Sequence, residues 1–305
     1  MSRTVIVINP VSGPRRRGRG AERETIAKRA LERLGVEGDV RMTERAGHAF
    51  ELAAGAAAEG ADLVIAWGGD GTINEVGRAL VQRAVEGGGG SSLDPAPALG
   101  LIPGGSGNGL SRELRIPFDP ALAIERAIRS PVRRIDAGEL GEHLFFNVAG
   151  VGLDAHVAAL ISTQEHHRGL VPYVKATLGD LLKYRPTGYT IDADGRVFDT
   201  SSLMVAVANS QQYGFGAHIA PEASLTDGFL DVVAIADRKL FGNLVRIPSL
   251  FARTVSRQRG VTTIKVRQGS IRAASPMLFH VDGEAVQGGD TLAIQVHPAA
   301  LRVRA

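Results

Sequence analysis

A chain of 305 residues has room for two ordinary domains or one large one, because a single hydrophobic core stops growing near this length. Its 44% hydrophobic and 22% charged residues describe a globular chain rather than a disordered or fibrous one. The lack of cysteine excludes disulfides and thiolate metal sites, and a net charge of +3 permits attraction to phosphate-bearing partners without requiring it. The start, MSRTVIVINP, has neither the apolar core nor the cleavage site of a signal peptide, and no apolar run reaches the length of a membrane span. A cytoplasmic protein is the expectation.

In chain order, TVIVIN leads through an arginine-rich loop into the helical pattern AERETIAKRALERL, with Ile26, Ala30, Leu31 and Leu34 near one face. VEGDVRMT, the alanine-rich helix AFELAAGAAAEG, the strand DLVIAW and the helix INEVGRALVQRAV follow. A loop, EGGGGSS, then precedes the strand ALGLIP. Apolar strands alternating with helices predict a parallel, doubly wound sheet covered on both faces.

After SPVRRID the texture changes. HLFFNVAG, YTIDADGRVF, SSLMVAVAN, GFLDVVAIA, TTIKVRQG, MLFHVDGEAV and TLAIQVH are short strand candidates divided by Gly, Asp or Pro turn signals, which predicts mainly antiparallel β structure. Helical stretches near 169–184 and 239–256 interrupt them. The expected domains are 1–131, α/β, and 132–305, β-rich, with room for the last strand to return to the first domain.

Ligands of a doubly wound sheet bind outside the carboxyl ends of its strands. Three loops there are unusual: NPVSGPRRRGRG after the first strand, GGDGT after the third and PGGSGNG after the fourth. Glycines allow close backbone approach, and successive N–H groups entering a helix suit phosphate oxygens. One such loop alone reads as a tight turn, but three on one sheet edge predict a phosphate cradle. Ser12, Thr72 and Ser106 would add hydroxyls, and Arg15, Arg16 and Arg17 positive charge. The chain has neither GxGxxG after its first strand nor GxxxxGK[ST], so a nucleotide would bind by another scheme.

The run GGDGTINEV, 68–76, closely resembles the nucleotide-binding signature of the diacylglycerol kinase catalytic-domain family, which includes bacterial lipid kinases, sphingosine kinases and ceramide kinases. Further blocks follow the family's order: NPVSG at 9–13, IPGGSGNGLSREL at 102–114, FNVAGVGLDAHV at 146–157, IAPEASLTDGFLDV at 219–232 and VDGE at 281–284. The resemblance implies an ATP-dependent lipid kinase with the nucleotide in an interdomain cleft. The implied nucleotide contacts are Asn9, Pro10, Val11, Ser12, Gly13, Thr43, Gly68, Gly69, Asp70, Gly71, Thr72, Ile73, Asn74, Glu75 and Ser106. Glu75 would orient the loop or a metal.

Phosphoryl transfer needs a group to take the acceptor's proton. The resemblance offers Asp70 and Glu284, with Glu284 the favoured base and Asp70 organising metal and phosphates. It further implies Mg2+ on the Asp227 carboxylate and the carbonyls of Ser224 and Phe229, a structural or a catalytic ion, and Asp154 near the lipid head group. By residue pattern alone, each Asp-Gly pair is a turn. The chain departs from bacterial diacylglycerol kinases in GSGNG, where Gly109 stands at an acidic position, and that loosens the choice between diacylglycerol-like and sphingoid-like lipids.

The remaining expectations are a membrane lipid substrate and transient peripheral contact with the inner membrane face. LVPYVKATLGDLLKYRP and KLFGNLVRIPSLFARTV are apolar with basic flanks, although core-facing helices look the same. No zinc site is expected, nor nucleic-acid binding, because RRRGRG lacks interleaved aromatics. A homodimer through a sheet edge is compatible with the pattern. The competing functions are an NAD kinase-like enzyme and a catalytically silent nucleotide- or lipid-binding regulator.

Overall fold

The computed structural model describes residues 3–13, 19–86, 96–163, 184–238 and 246–305. The chain forms two compact units, Met1–Ile135 with Ala299–Ala305, and Asp136–Pro298.

The first unit runs β1 (Thr4–Ile8), α1 (Arg19–Leu34), β2 (Gly38–Met42), α2 (His48–Ala58), β3 (Leu63–Gly68), α3 (Asp70–Glu86), β4 (Ala98–Pro103), α4 (Gly109–Glu113) and α5 (Pro120–Arg129). The strands are parallel in the order β2-β1-β3-β4. Every residue of β1, β3 and β4 is buried, as continuous apolar strands between two helical layers must be. The order reverses between β1 and β3, so the topological switch point lies where Asn9 and Gly68 leave the sheet. α5 starts on a textual signature that is also a physical one: Asp119 accepts the Leu122 N–H at 2.9 Å and Pro120 opens the first turn.

One boundary differs from the sequence pattern in a way that matters. α3 begins at Asp70 rather than at Ile73, with the Ile73 N–H donating to the Gly69 carbonyl at 3.1 Å. Gly71 and Thr72 are therefore the first helical turn, not loop, and their backbone belongs to the positive end of the helix dipole.

The chain passes to the second unit within β5 (Val132–Leu140). β6 (His143–Phe145), β7 (Val148–Gly152), α6 (Leu153–Thr163), β8 (Thr187–Ala193), β9 (Arg196–Ala208), β10 (Leu230–Ala236), β11 (Val261–Val266), β12 (Gln268–Ala273), β13 (Leu278–Val281), β14 (Glu284–Gln287) and β15 (Thr291–Arg304) follow. Pairing within this unit is antiparallel: β14-β13-β7-β9-β8-β12-β15, with β10 between β9 and β11. Burial alternates by face. Val205 and Val207 of β9 join one core with Ala149, Val151, Leu230 and Val232, while Ala206 and Ala208 join another with Val148, Val233 and Ile219.

Two strands are longer than their apolar patterns. Residues 203–208 complete β9, whose first part, Arg196–Ser202, pairs with β8 across an Asp194–Gly195 turn. β15 continues past Pro298, and in the first unit Val303 stands beside Leu99 of β4. The expected helix near 169–184 falls almost entirely outside the described residues; of that near 239–256, residues 239–245 lie outside them, 246–251 are helical and Val255–Arg257 forms a 3-10 turn. Among the described residues, no helix is long and apolar enough to cross a membrane.

Candidate functional site

In the first unit the three glycine-bearing loops are tied to one another at the carboxyl ends of β1, β3 and β4. The Asn9 N–H donates to the Trp67 carbonyl at 2.9 Å, and Asn9 Nδ2 donates to Thr72 Oγ1 at 3.0 Å, bridging the switch point. The Gly104 N–H donates to the Gly68 carbonyl at 2.7 Å. Asp70 makes the tightest link: Oδ2 accepts the Asn108 N–H at 2.9 Å and Oδ1 the Gly109 N–H at 2.7 Å. Its carboxylate thus satisfies donors at the start of α4, although Asp70 itself opens α3. Asn108 is left-handed, with φ 53°, and closes its own loop by Oδ1 to the Gly105 N–H and Nδ2 to the Gly105 carbonyl, both 2.8 Å.

Two glycines are required by this packing. A Cβ on Gly105 would stand 2.5 Å from the Gly69 Cα. One on Gly13, whose φ is +78°, would stand 2.5 Å from the Gly104 carbonyl oxygen. The loops meet backbone to backbone, which leaves their polar groups close enough to act on one ligand.

The remaining first-unit residues sort by burial. Thr43 is buried at the end of β2 and its N–H donates to the Ile8 carbonyl at 2.8 Å, so it shares the sheet end with Asn9. Ser12, Gly13, Thr72, Ile73 and Asn74 are buried; Pro10, Gly69, Asp70, Gly71 and Ser106 are half-buried; Val11 is exposed. Glu75 orients a neighbouring element: its carboxylate accepts the N–H groups of Gly47 at 2.9 Å and Ala49 at 3.0 Å, capping α2.

Arg23 was not among the sequence candidates. It is 6% exposed, lies 5.5 Å from the Trp67 ring centre, and donates to the Asn9 carbonyl, to Ser12 Oγ at 2.7 Å and to the Ser12 carbonyl at 3.0 Å. Burial, helped by the neighbouring Arg19, pulls its pKa down to about 10, which still leaves it charged near neutrality. A signal existed: Arg23, Ala27, Ala30 and Leu31 form the buried stripe of α1, and an arginine on such a stripe needs acceptors. Arg15, Arg16 and Arg17 lie outside the described residues.

In the second unit Glu284 is exposed and opens β14. The turn before it is left-handed at Asp282 (φ 48°) and Gly283 (φ 86°), as Asp-Gly in a two-residue hairpin should be. The turn is anchored: Asp282 accepts the N–H groups of Phe146 and Asn147, both at 2.9 Å, and of Val148 at 3.2 Å. Asp154 is 9% exposed and internally committed. Its Oδ2 accepts the Tyr213 hydroxyl at 2.8 Å and lies 3.2 Å from His280 Nε2, and its Oδ1 accepts the Ala155 N–H at 2.8 Å. His280 Nδ1 accepts the Gly283 N–H at 3.4 Å, which places the ring proton on Nε2, toward Asp154. Gly150 leaves the necessary space, since a Cβ there would stand 2.4 Å from Asp154 Oδ2.

The expected magnesium ligands do not offer a divalent ion an open carboxylate. Asp227 Oδ2 is 2.7 Å from the Lys265 ammonium, and Oδ1 accepts the Phe229 N–H at 3.1 Å. The Ser224 hydroxyl, as distinct from the carbonyl expected to bind metal, accepts the Thr226 N–H at 3.4 Å within the turn. Among the described residues, no group of three or more His, Asp or Glu side chains is arranged to hold a metal.

Residues 3–140 match the model of the diacylglycerol kinase catalytic domain, and residues 147–305 match that of the YegS C-terminal NAD kinase beta sandwich-like domain. A diacylglycerol kinase of Bacillus subtilis is 31% identical over 93% of this chain and 90% of its own length. The chain belongs to the diacylglycerol kinase catalytic-domain family. A probable lipid kinase YegS-like protein of Pseudomonas fluorescens is 30% identical over 91% of this chain and 88% of its own. The fold is shared with solved Bacillus anthracis structures: one, of a diacylglycerol kinase, aligns with a TM-score of 0.71 at 19% identity, covering 99% of this chain and 96% of its own. Another aligns at 0.79 and 21%, covering 99% and 95%.

As a member of this kinase family the chain is a lipid kinase, a phosphotransferase with an alcohol acceptor. Gly109, where the sequence resemblance leads to the expectation of an acid, contributes a backbone N–H to Asp70.

Proposed function

We propose that this lipid kinase transfers the γ-phosphate of ATP to the hydroxyl of a diacylglycerol-like lipid. The observation that carries the proposal is the pair of backbone donors on Asp70, which joins the loops after β3 and β4 into one cradle at the switch point of the first unit. The diacylglycerol kinase named among the relatives supports the choice of acceptor.

In this reading the loops at Asn9–Gly13, Gly68–Thr72 and Gly104–Asn108 hold the phosphates, with the N-terminal turn of α3 and the Thr72 hydroxyl directed at negative charge. Thr43 and Ser106 line the same sheet end, Arg23 holds the Asn9–Gly13 loop, and Glu75 caps α2. A nucleotide held by these loops would carry Mg2+ on its phosphates, and that ion would supply neutralisation of their charge. Asp70 organises the cradle. Glu284 takes the proton of the lipid hydroxyl as its oxygen bonds to the γ-phosphorus and the bond to ADP breaks. A carboxylate at the exposed start of β14 suits that task better than one already accepting two backbone N–H groups. Asp154, His280 and Tyr213 support the hairpin that carries Glu284.

The test is phosphate transfer from radiolabelled ATP to a panel of diacylglycerol, monoacylglycerol, sphingosine, ceramide and phosphatidylglycerol, with NAD as a soluble acceptor. Labelling of diacylglycerol above the others supports the proposal. Labelling of NAD alone, or ATP binding with no lipid labelled, overturns it in favour of a dinucleotide kinase or a silent regulator.

A further inference from the structure

Lys265 stands directly opposite Asp231 in the antiparallel pairing of β11 with β10, so the sheet register delivers its side chain to that carboxylate. The ammonium lies 3.2 Å from Asp231 Oδ2 and 2.7 Å from Asp227 Oδ2, bridging the two. Asp231 is 2% exposed, and Lys265 is its ion-pair partner. The turn carrying Asp227 is held by the chain's own groups as well. Asp136 donates its N–H to the Leu225 carbonyl at 2.7 Å and accepts the Gly228 N–H at 2.8 Å.

We infer that Lys265 is the built-in cation of the 224–229 turn, standing where a divalent ion would neutralise Asp227, so that this turn is ordered without metal. The inference goes beyond the proposed reaction and does not depend on which lipid accepts the phosphate. Mg2+ requires about six oxygens at roughly 2.0–2.1 Å in near-ideal octahedral geometry. An ion at that distance from Asp227 Oδ2 would meet the ammonium as a like charge, and expelling the ammonium would strip buried Asp231 of its counter-charge. A lysine ammonium, a compact charge with three donors on a flexible stem, can serve both carboxylates at once. Because the cation is fixed by strand register, it arrives with folding instead of being captured from solution.

The experiment is a Mn2+ titration of the full-length, nucleotide-free protein followed by water-proton relaxation, with Mn2+ standing in for Mg2+. Wild type and Asp227→Asn should bind the same number of ions, and the wild-type melting temperature should be the same in excess EDTA and excess Mg2+. Lys265→Met should gain one Mn2+ that the Lys265→Met, Asp227→Asn double variant lacks. If wild type binds one more Mn2+ than Asp227→Asn, or EDTA lowers its melting temperature and Mg2+ restores it while Asp227→Asn shows neither change, the inference is wrong. The wild-type and isosteric-asparagine arms decide the matter even if the lysine variant folds poorly.

Discussion

The second unit contains two Asp-Gly turns that read alike in sequence, Asp227–Gly228 and Asp282–Gly283, and the structure employs them differently. Asp282 turns inward and accepts three backbone N–H groups of the 146–148 segment. Asp227 stays a third exposed and pairs with the ammonium of Lys265. The dipeptide fixes only the left-handed glycine, since Asp282 is left-handed as well and Asp227 is not, and the neighbouring strand decides what the carboxylate does. For Asp282 that neighbour is the segment leading into β7, whose N–H groups from Phe146 to Val148 need acceptors. For Asp227 it is β11, which presents a lysine.

The largest effect expected lies just beyond the inward turn. Glu284→Gln should lower kcat by about 10²–10⁴-fold if Glu284 is the base, with folding unchanged. A stopped-time assay with radiolabelled ATP and diacylglycerol, beside a circular dichroism melt, checks both halves of the statement. Asp282→Ala should be the most costly to stability, about 3 kcal/mol or more in urea unfolding, because three backbone donors lose their acceptor. Asp282→Asn, which keeps one oxygen acceptor, should lose less.

In the first unit, Asp70→Asn replaces one accepting oxygen by an amide that cannot accept the N–H facing it. Loss of that one link should raise the KM for ATP by about tenfold, corresponding to roughly 1.4 kcal/mol. Asp227→Asn is the smallest change: the pair is partly solvated and Lys265 keeps Asp231, so the loss should stay under about 1 kcal/mol. A loss at Asp227 equal to that at Asp282 would erase the distinction between the two turns.

The apolar strands Thr4–Ile8, Leu63–Gly68 and Ala98–Pro103 were legible because a strand buried on both faces must be apolar throughout. The loops after them were legible because glycine is the residue that backbone-to-backbone packing demands, as at Gly105 against Gly69. What could not be read were polar residues whose partners come from distant segments. Arg23 looks like one more charge on α1 until Asn9 and Ser12 are beside it. Lys265 looks like the exposed residue of an alternating strand until register sets it against Asp231. The same reason explains β5: Val132–Leu140 carries arginines and a glycine that no apolar alternation marks, and pairing makes it a strand, whereas past Pro298 the buried Leu301 and Val303 do alternate with Arg302 and Arg304.

The division of labour between Asp70 and Glu284 is the centre of the account, and steady-state kinetics of Asp70→Asn and Glu284→Gln with ATP and diacylglycerol test it most directly. Asp70→Asn should raise the KM for ATP and keep most of kcat, while Glu284→Gln should keep the KM for ATP and lose kcat. An Asp70→Asn variant that loses kcat by orders of magnitude beside a Glu284→Gln variant that turns over normally would make Asp70 the base and contradict it.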